Sequence, residues 1–212
     1  MQKARSFRPK KRFSPEMYMK KIYTSVEHIR KSSSMEGEIG IILGSGLGSF
    51  HEQLTHRTEI EYQEIPNFPI ATVQGHAGKL VMGELNGKKL IVMSGRFHYY
   101  EGYSLMHSVF PVRVMSKLGV KKLIVTNAAG GINTSFVAGD LMLIDDHINL
   151  MADNPLMGMN FNDLGPRFPD MTKAYTPRLK EIAMKASQET GVELKRDRKS
   201  TRLNSRHVSQ SR

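Results

Sequence analysis

The sequence predicts an α/β fold in which a mixed, largely parallel β-sheet is flanked by helices. Three short apolar runs support this prediction, and each leads into a loop of small residues; they are Ile39–Leu43, Leu90–Met93 and Leu123–Thr126. Their length and their β-branched content are typical of buried strands. Segments with helical periodicity lie before and between them, which is the pattern of an α/β protein.

The composition bounds the class of protein. A chain of 212 residues can bury one sizeable core or two small ones. The sequence has no cysteine, which excludes disulfides and thiolate metal sites. No apolar run approaches the length of a membrane span, and no apolar segment follows the basic start. We therefore expect a cytoplasmic protein with no secretory signal and no membrane contact.

The positive charge is concentrated at the two ends of the chain. Residues 1–35 hold 10 Lys and Arg against 2 acids, and residues 195–212 hold 7 against 1. Residues 36–194 are net −3, although the whole chain is net +11. A nucleic-acid-binding domain normally carries a basic face on its folded part. This distribution argues against a nucleic-acid partner, but a basic nucleic-acid-binding module stays open as a rival hypothesis.

The chain begins with a segment that predicts disorder and then a helix. Residues 1–13 are basic, contain no acid and show no periodicity, so we expect a disordered tail. A transit peptide or a nucleic-acid-binding arm is the alternative. Ser14 and Pro15 are a typical helix start. Apolar residues then recur at helical spacing and predict a core-facing stripe of Met19, Ile22, Val26 and Ile29.

The middle of the chain predicts a hairpin and then a crossover helix. Residues 59–70 indicate a loop or an edge strand, and Asn86-Gly87 between two apolar runs is a strong hairpin signal. Ser104 should cap a helix that Pro111 kinks and Gly119 ends. This helix joins two strands and so predicts a parallel pair. Its inward residues should be Leu105, Val109, Val112, Met115 and Leu118.

The last part of the chain predicts a strand, a long loop and a helix. The strand covers Leu141–Ile144, the loop covers residues 152–175, and Thr176-Pro177 caps a helix that ends at Gly191. The inward residues of that helix should be Leu179, Ile182, Ala183 and Ala186. A further strand begins at residues 192–194.

From Lys195 onward we find no strand or helix pattern. Residues 197–205, DRKSTRLNS, look like a translated sequencing adapter. We therefore expect a folded domain over residues 14–194 and a foreign, disordered tail over 195–212.

The three strand ends predict one shared anion site. Arg96 follows the glycine that ends the second apolar run, and its planar fork suits a phosphate or carboxylate. His98 can point the same way in an extended chain. The other two runs lead into GSGLGS and NAAGG, whose backbone N–H groups can approach an anion closely. A helix start after such a loop would add its dipole.

Two other kinds of site fit parts of the sequence less well. GSGLGS is close to the dinucleotide-binding fingerprint, but the third glycine comes one place early and Ser49 stands where that glycine belongs. A Rossmann-type dinucleotide binder is therefore the weaker hypothesis. Asp145, Asp146 and His147 could ligate a metal, yet no further ligands lie at helpful spacing, so we expect no metal site.

Four motifs in order resemble the trimeric class of purine nucleoside phosphorylases. They are GSGLGSF, Gly75-His76, SGRFHYYEGY and VTNAAGGIN, and the resemblance covers about residues 16–194. The related methylthioadenosine phosphorylases share the general plan and are the nearest alternative, but their counterpart of RFHYYEGY looks different.

The resemblance implies phosphorolysis of purine ribo- or deoxyribonucleosides in a homotrimer, with phosphate as a substrate and with no organic cofactor or metal. It implies that Arg96 and His98 are catalytic and bind phosphate together with Ser45, His76 and Ala128. Tyr100 would contact the ribose, and Phe168 would reach the neighbouring subunit's nucleoside site. The family's purine-binding segment would follow Leu194, so we expect this chain to be C-terminally truncated and inactive as printed.

Overall fold

The computed structural model describes residues 14–70 and 78–201. Five strands form the main sheet; they are β1 (Ile39–Leu43), β2 (Thr55–Glu61), β3 (Lys79–Leu85), β4 (Lys88–Ser94) and β5 (Lys122–Val125). Their order across the sheet is β2-β3-β4-β1-β5. β1 pairs in parallel with β4 and β5, whereas β3 pairs antiparallel with β2 and β4. The predicted mixed α/β fold is confirmed.

Four helices and a second, two-stranded sheet complete the described part. The helices are α1 (Pro15–Ser32), α2 (Leu105–Ser108), α3 (Phe110–Lys117) and α4 (Pro177–Thr190). The second sheet pairs β6 (Leu141–Asn149) in parallel with β7 (Leu194–Thr201). No helix in the described ranges is long and apolar enough to cross a membrane.

α1 forms as its sequence predicts and packs against the main sheet. The Ser14 hydroxyl accepts a hydrogen bond from the N–H of Met17 at 3.4 Å, and Pro15 occupies the first turn. The predicted stripe is buried, since Met19, Ile22, Val26 and Ile29 are at most 8% exposed. These residues belong to the main core cluster together with α3 and one face of the sheet.

The three central strands of the main sheet, β3, β4 and β1, are buried on both faces, whereas the edge strands β2 and β5 are largely exposed. In β4, Ile91 and Met93 face the α1–α3 side, whereas Leu90 and Val92 belong to a smaller cluster on the opposite side. This alternation follows from the two-residue period of a strand. β3 and β4 are joined by the predicted Asn86-Gly87 turn, in which both residues have positive φ angles of 49° and 70°.

The structure has two helices where the sequence predicts one after Ser104, because the helix is interrupted at Val109. Pro111 has no N–H to continue the hydrogen-bond ladder, so it occupies the first turn of α3. Met115 and Leu118 are buried as predicted, whereas Leu105, Val109 and Val112 are only partly buried. Phe110, Pro111 and Val114 are buried in addition. β4 and β5 are parallel as predicted, but β1 lies between them.

α4 has the predicted bounds but not the predicted environment. Gly191 ends it in the left-handed conformation with a φ of 72°. No residue of α4 is buried, and Ile182 is 49% exposed, so the predicted inward stripe is wrong for this structure. A helical pattern identifies the apolar face of a helix but not whether another element covers it.

The prediction of disorder from Lys195 is wrong for residues 195–201, which form most of β7. Backbone pairing with β6 runs from Leu194 to Thr201, and the Arg196 guanidinium pairs with the Asp145 carboxylate at 2.8 Å. A strand ladder uses backbone groups, so a polar sequence without an apolar pattern can still pair. Residues 1–13, 71–77 and 202–212 lie outside the described residues, and the foreign origin of the C-terminal tail stays a hypothesis.

Candidate active site

Three strands of the main sheet end side by side. β4, β1 and β5 are neighbours and parallel, with Ser94 paired to Leu43 and Val125 paired to Ile42. The loops that begin at Gly44, Gly95 and Thr126 therefore leave the same edge of the sheet. Ligands of open α/β sheets bind at this carboxyl-terminal edge. The predicted convergence of the three loops is present.

The first and third loops are in direct contact. The N–H of Gly44 donates to the Thr126 hydroxyl at 2.8 Å. A Cβ atom added to Gly44 would lie 2.6 Å from the Thr126 carbonyl oxygen and 2.8 Å from the Cα of Asn127. Only glycine allows this approach. Ser45 and Ala128 are exposed and directly follow the two touching segments.

The Arg96 guanidinium bridges from the second loop to the third. Its Nη1 donates to the Thr126 carbonyl oxygen at 3.0 Å, and its Nε donates to Nε2 of His98 at 3.0 Å. Burial lowers the pKa of Arg96, but a guanidinium stays protonated in proteins. The structure thus holds a partly buried positive charge at the edge where the loops meet.

His98 is fixed by the carboxylate of Glu101. Oε1 of Glu101 lies 2.7 Å from Nδ1 of His98 and also accepts the His98 backbone N–H at 2.8 Å. Because Nε2 accepts from Arg96, the ring proton is on Nδ1 and is donated to Glu101. The Glu101 side chain is only 3% exposed. The carboxylate therefore orients the imidazole, which in turn orients the guanidinium.

Tyr100 lies over this arrangement with one side open to solvent. Its ring stacks on His98 with centroids 4.7 Å apart, and the residue is 58% exposed. Burial, followed by the charge of Glu101, raises the pKa of its hydroxyl. The tyrosine is therefore a neutral planar wall beside the imidazole.

The last two candidates to place are His76 and Phe168. His76 lies outside the described residues. Phe168 is 86% exposed on the long loop, where the Arg167 guanidinium lies 5.8 Å from its ring centroid. Arg167 donates to the carbonyl oxygens of Leu156 and Gly158, which ties the loop to itself. The phenylalanine thus projects outward from an internally braced loop.

Sequence reasoning missed three residues that act on this cluster. Glu101 lies three residues after His98 in a short 3₁₀ turn, and this spacing could have indicated the pair. Thr126 directly follows β5, and the apolar pattern of the sequence indicates only a strand residue there. Lys199 of β7 is the third, since burial and then the positive charge of Arg96 lower its pKa. No local signal in the sequence connects Lys199 to Arg96.

The carboxylate–histidine cluster of β6 has other partners. Asp145 pairs with Lys180 and Arg196, and these hydrogen bonds, led by that from Arg196, lower its pKa. Nδ1 of His147 lies 2.6 Å from the Tyr175 hydroxyl. Within residues 14–70 and 78–201, no group of three or more metal-ligating side chains comes together.

In the described chain no α-helix starts directly after the first or the second loop. The GSGLGS loop leads into a six-residue 3₁₀ turn at Gly48–Gln53, and the loop after β4 leads into a three-residue turn at Tyr99–Glu101. The dinucleotide fingerprint places a pyrophosphate on the N-terminus of an α-helix. Its absence after Gly44 in the described chain argues against the Rossmann-type hypothesis.

A separate cavity lies away from the strand ends. It has a volume of about 300 Å³ and mostly apolar walls. Its lining consists of Tyr18, Lys21, Asn67, Ser104, Met106, His107, Phe110, Met157, Gly158, Met159 and Phe161. None of the residues of the Arg96 cluster lines it.

The fold is that of an α/β protein in which a guanidinium and two exposed small-residue loops lie at the carboxyl edge of the parallel strands. Residues 38–199 match the family model described as the phosphorylase superfamily. The chain belongs to this family. The matched segment extends beyond Leu194 and includes most of β7.

Curated relatives carry a more specific name. The chain is 51% identical over 174 residues to purine nucleoside phosphorylase 1 of Geobacillus stearothermophilus, a match that covers 82% of this chain and 64% of the relative. It is 49% identical over 170 residues to purine nucleoside phosphorylase of Rattus norvegicus, covering 79% and 59%. The chain thus spans about three-fifths of the length of these relatives.

A solved structure has the same fold. Isoform 2 of purine nucleoside phosphorylase from Schistosoma mansoni, in complex with cytosine and ribose-1-phosphate, superposes with a TM-score of 0.81. The two chains are 42% identical, and the match covers 85% of this chain and 65% of that one.

Proposed function

We propose that the protein is built for phosphorolysis of purine ribo- and deoxyribonucleosides, giving a free purine base and ribose or deoxyribose 1-phosphate. The proposal depends mainly on one observation, the partly buried Arg96 at the point where three strand-end loops meet. The names of the relatives and the ribose-1-phosphate bound to the Schistosoma enzyme support this choice of reaction.

In this proposal inorganic phosphate occupies the edge formed by the three loops. Arg96 already uses Nε and Nη1 for protein contacts, and within the described residues Nη2 makes no hydrogen bond. That nitrogen can donate to a phosphate oxygen, and charge-assisted bonds of this kind are strong. Ser45 and the Ala128 N–H would add donors from the neighbouring loops. The family resemblance adds His76 and His98; both ring nitrogens of His98 contact Arg96 and Glu101, so His98 would act by orienting the guanidinium.

The phosphate acts as nucleophile and as counter-charge. The bond between C1′ and the base nitrogen breaks with its electron pair leaving on the base, while a phosphate oxygen forms the new bond to C1′. The sugar passes through an oxocarbenium-like state, as in other glycosyl transfers. An anion held against this positive charge stabilises it in the transition state. No organic cofactor or metal is required for this sequence.

The proposal assigns one aromatic residue to the ribose and another to the nucleoside site of the neighbouring subunit. Tyr100 would contact the ribose with the face that is open to solvent. Phe168, which projects outward, would cover the nucleoside site of a neighbour in a homotrimer. The exposed position of both rings supports these assignments.

Binding of inorganic phosphate to the 212-residue chain tests the proposal directly. Isothermal titration should detect binding to the wild type, and Arg96→Ala should weaken it by about 10- to 100-fold, since hydrogen bonds to charged groups contribute about 1.5–3 kcal/mol. Arg57→Ala is the matched control, because Arg57 is exposed and contacts the Glu59 carboxylate and the Glu52 carbonyl oxygen rather than Ser45, Arg96 or Ala128. It should leave phosphate affinity unchanged.

Turnover is measured in a chimera that restores family length. Residues 1–194 are joined to the C-terminal third of the Geobacillus relative, and inosine phosphorolysis is followed. Arg96→Ala should raise the KM for phosphate far more than the KM for inosine. An equal rise in both constants would reject Arg96 as the phosphate anchor, and a chimera that folds but shows no phosphorolysis would reject the function.

A further inference from the structure

We propose that Thr126 is a positioning residue that sets the distance between the phosphate-binding groups of β1 and β4. The inference rests on the proposed function, because the geometry it explains is that of the phosphate site. Thr126 is the first residue after β5, and β1 separates β5 from β4 in the sheet. It nevertheless contacts both of the other loops.

The Thr126 side chain holds the exit of β1 with both of its hydrogen-bonding functions. Its hydroxyl accepts the Gly44 N–H at 2.8 Å and donates to the Ile42 carbonyl oxygen at 3.2 Å. The Thr126 N–H also donates to the Ile42 carbonyl oxygen, at 3.0 Å. A hydroxyl has one proton to donate, and here it is used. The start of the GSGLGS loop is therefore fixed to Thr126 on two sides.

The Thr126 backbone holds the guanidinium from β4. Its carbonyl oxygen accepts the Nη1 proton of Arg96 at 3.0 Å, while His98 holds Nε of the same group. One residue thus contacts Gly44, which precedes Ser45, and Arg96 at the same time. The separation between the Ser45 loop and the guanidinium is set through Thr126.

This arrangement explains why a hydroxyl is needed at the position. Valine has nearly the same shape, but it would leave the Gly44 N–H without this acceptor and would free the turn at Gly44. The Ser45 hydroxyl would then lose its fixed distance from Arg96, and an anion could no longer bind both. Serine retains the hydroxyl and should retain the geometry.

The test measures phosphate affinity of the 212-residue chain by isothermal titration. Thr126→Val should weaken phosphate binding by about tenfold, while Thr126→Ser should stay within about threefold of wild type, as expected for one hydrogen bond. Thr55→Val is the matched control, since the Thr55 hydroxyl also donates to a neighbouring strand's carbonyl, that of Glu84 at 3.2 Å, far from the site. It should leave the affinity unchanged.

The outcomes separate the two proposals. If the wild-type chain binds no phosphate, both the proposed function and the role of Thr126 are rejected. If Thr126→Val binds phosphate as tightly as wild type, only the role of Thr126 is rejected. The same holds if the valine and serine variants are weakened equally. Urea unfolding confirms that each variant is folded; if the valine variant is not, Thr126→Ala takes its place against the same serine variant.

Discussion

Replacing Gly44 by alanine should force apart the loops that follow β1 and β5. The new Cβ would lie 2.6 Å from the Thr126 carbonyl oxygen, about 0.8 Å short of the 3.4 Å at which ordinary contact begins. The three nearest atoms all belong to the backbone of Thr126 and Asn127, so no side chain can rotate away to make room. The Gly44 N–H bond to the Thr126 hydroxyl would be stretched as well.

The loss of stability caused by Gly44→Ala can be estimated. Overpacking of a well-packed site costs about 1–3 kcal/mol. For a chain of this size, each kcal/mol lowers the melting temperature by about 2–4 °C. Gly44→Ala should therefore melt about 2–12 °C below wild type. Phosphate affinity should fall as well, because Thr126 and Ser45 move apart.

Gly48→Ala is the matched control in the same loop. A Cβ at Gly48 would meet nothing within 4 Å, and its φ is not in the left-handed region. Thermal and urea unfolding followed by circular dichroism compare the three proteins, with phosphate titration as a second measurement. If Gly44→Ala is as stable as wild type, or if Gly48→Ala loses as much stability, the argument from close approach is refuted.

Two further predictions concern β7. Asp145→Asn should cost about 0.5–1 kcal/mol near pH 6, because the variant loses the ion pairs to Arg196 and Lys180. The pKa of Asp145 is lowered in the folded state, so this contribution is complete above pH 3.8 and disappears as the pH falls through the lower folded value. Urea titrations at pH 6 and pH 3 should show the difference shrink; a constant difference would contradict the assignment. Hydrogen exchange should show protected amides in residues 195–201, with less protection than in β4. Exchange at random-coil rates in residues 195–201 would instead support the expected disordered tail.

Some elements could be predicted because their signals are local. α1 has its cap, its proline and its apolar stripe within 18 residues, and all are present in the structure. The β3–β4 hairpin depends on two adjacent residues, Asn86 and Gly87. Where the outcome depends on distant partners, the patterns failed. α4 has an apolar stripe that no element among the described residues buries, and β7 pairs through backbone groups, which the side-chain pattern does not reveal.

The candidate site also combines features that local sequence predicts with features that depend on distant partners. The sequence by itself determined that three apolar strands end in loops and that Arg96 and His98 lie on one of these loops. Strand periodicity and glycine-rich loops depend only on residues that are adjacent in sequence. Only the tertiary structure decided that β1 lies between β4 and β5, and therefore that Gly44, Arg96 and Thr126 meet. Thr126 and Gly44 are 82 positions apart in the chain. A hydrogen bond between them depends on strand order and register, which long-range packing sets and no local pattern encodes.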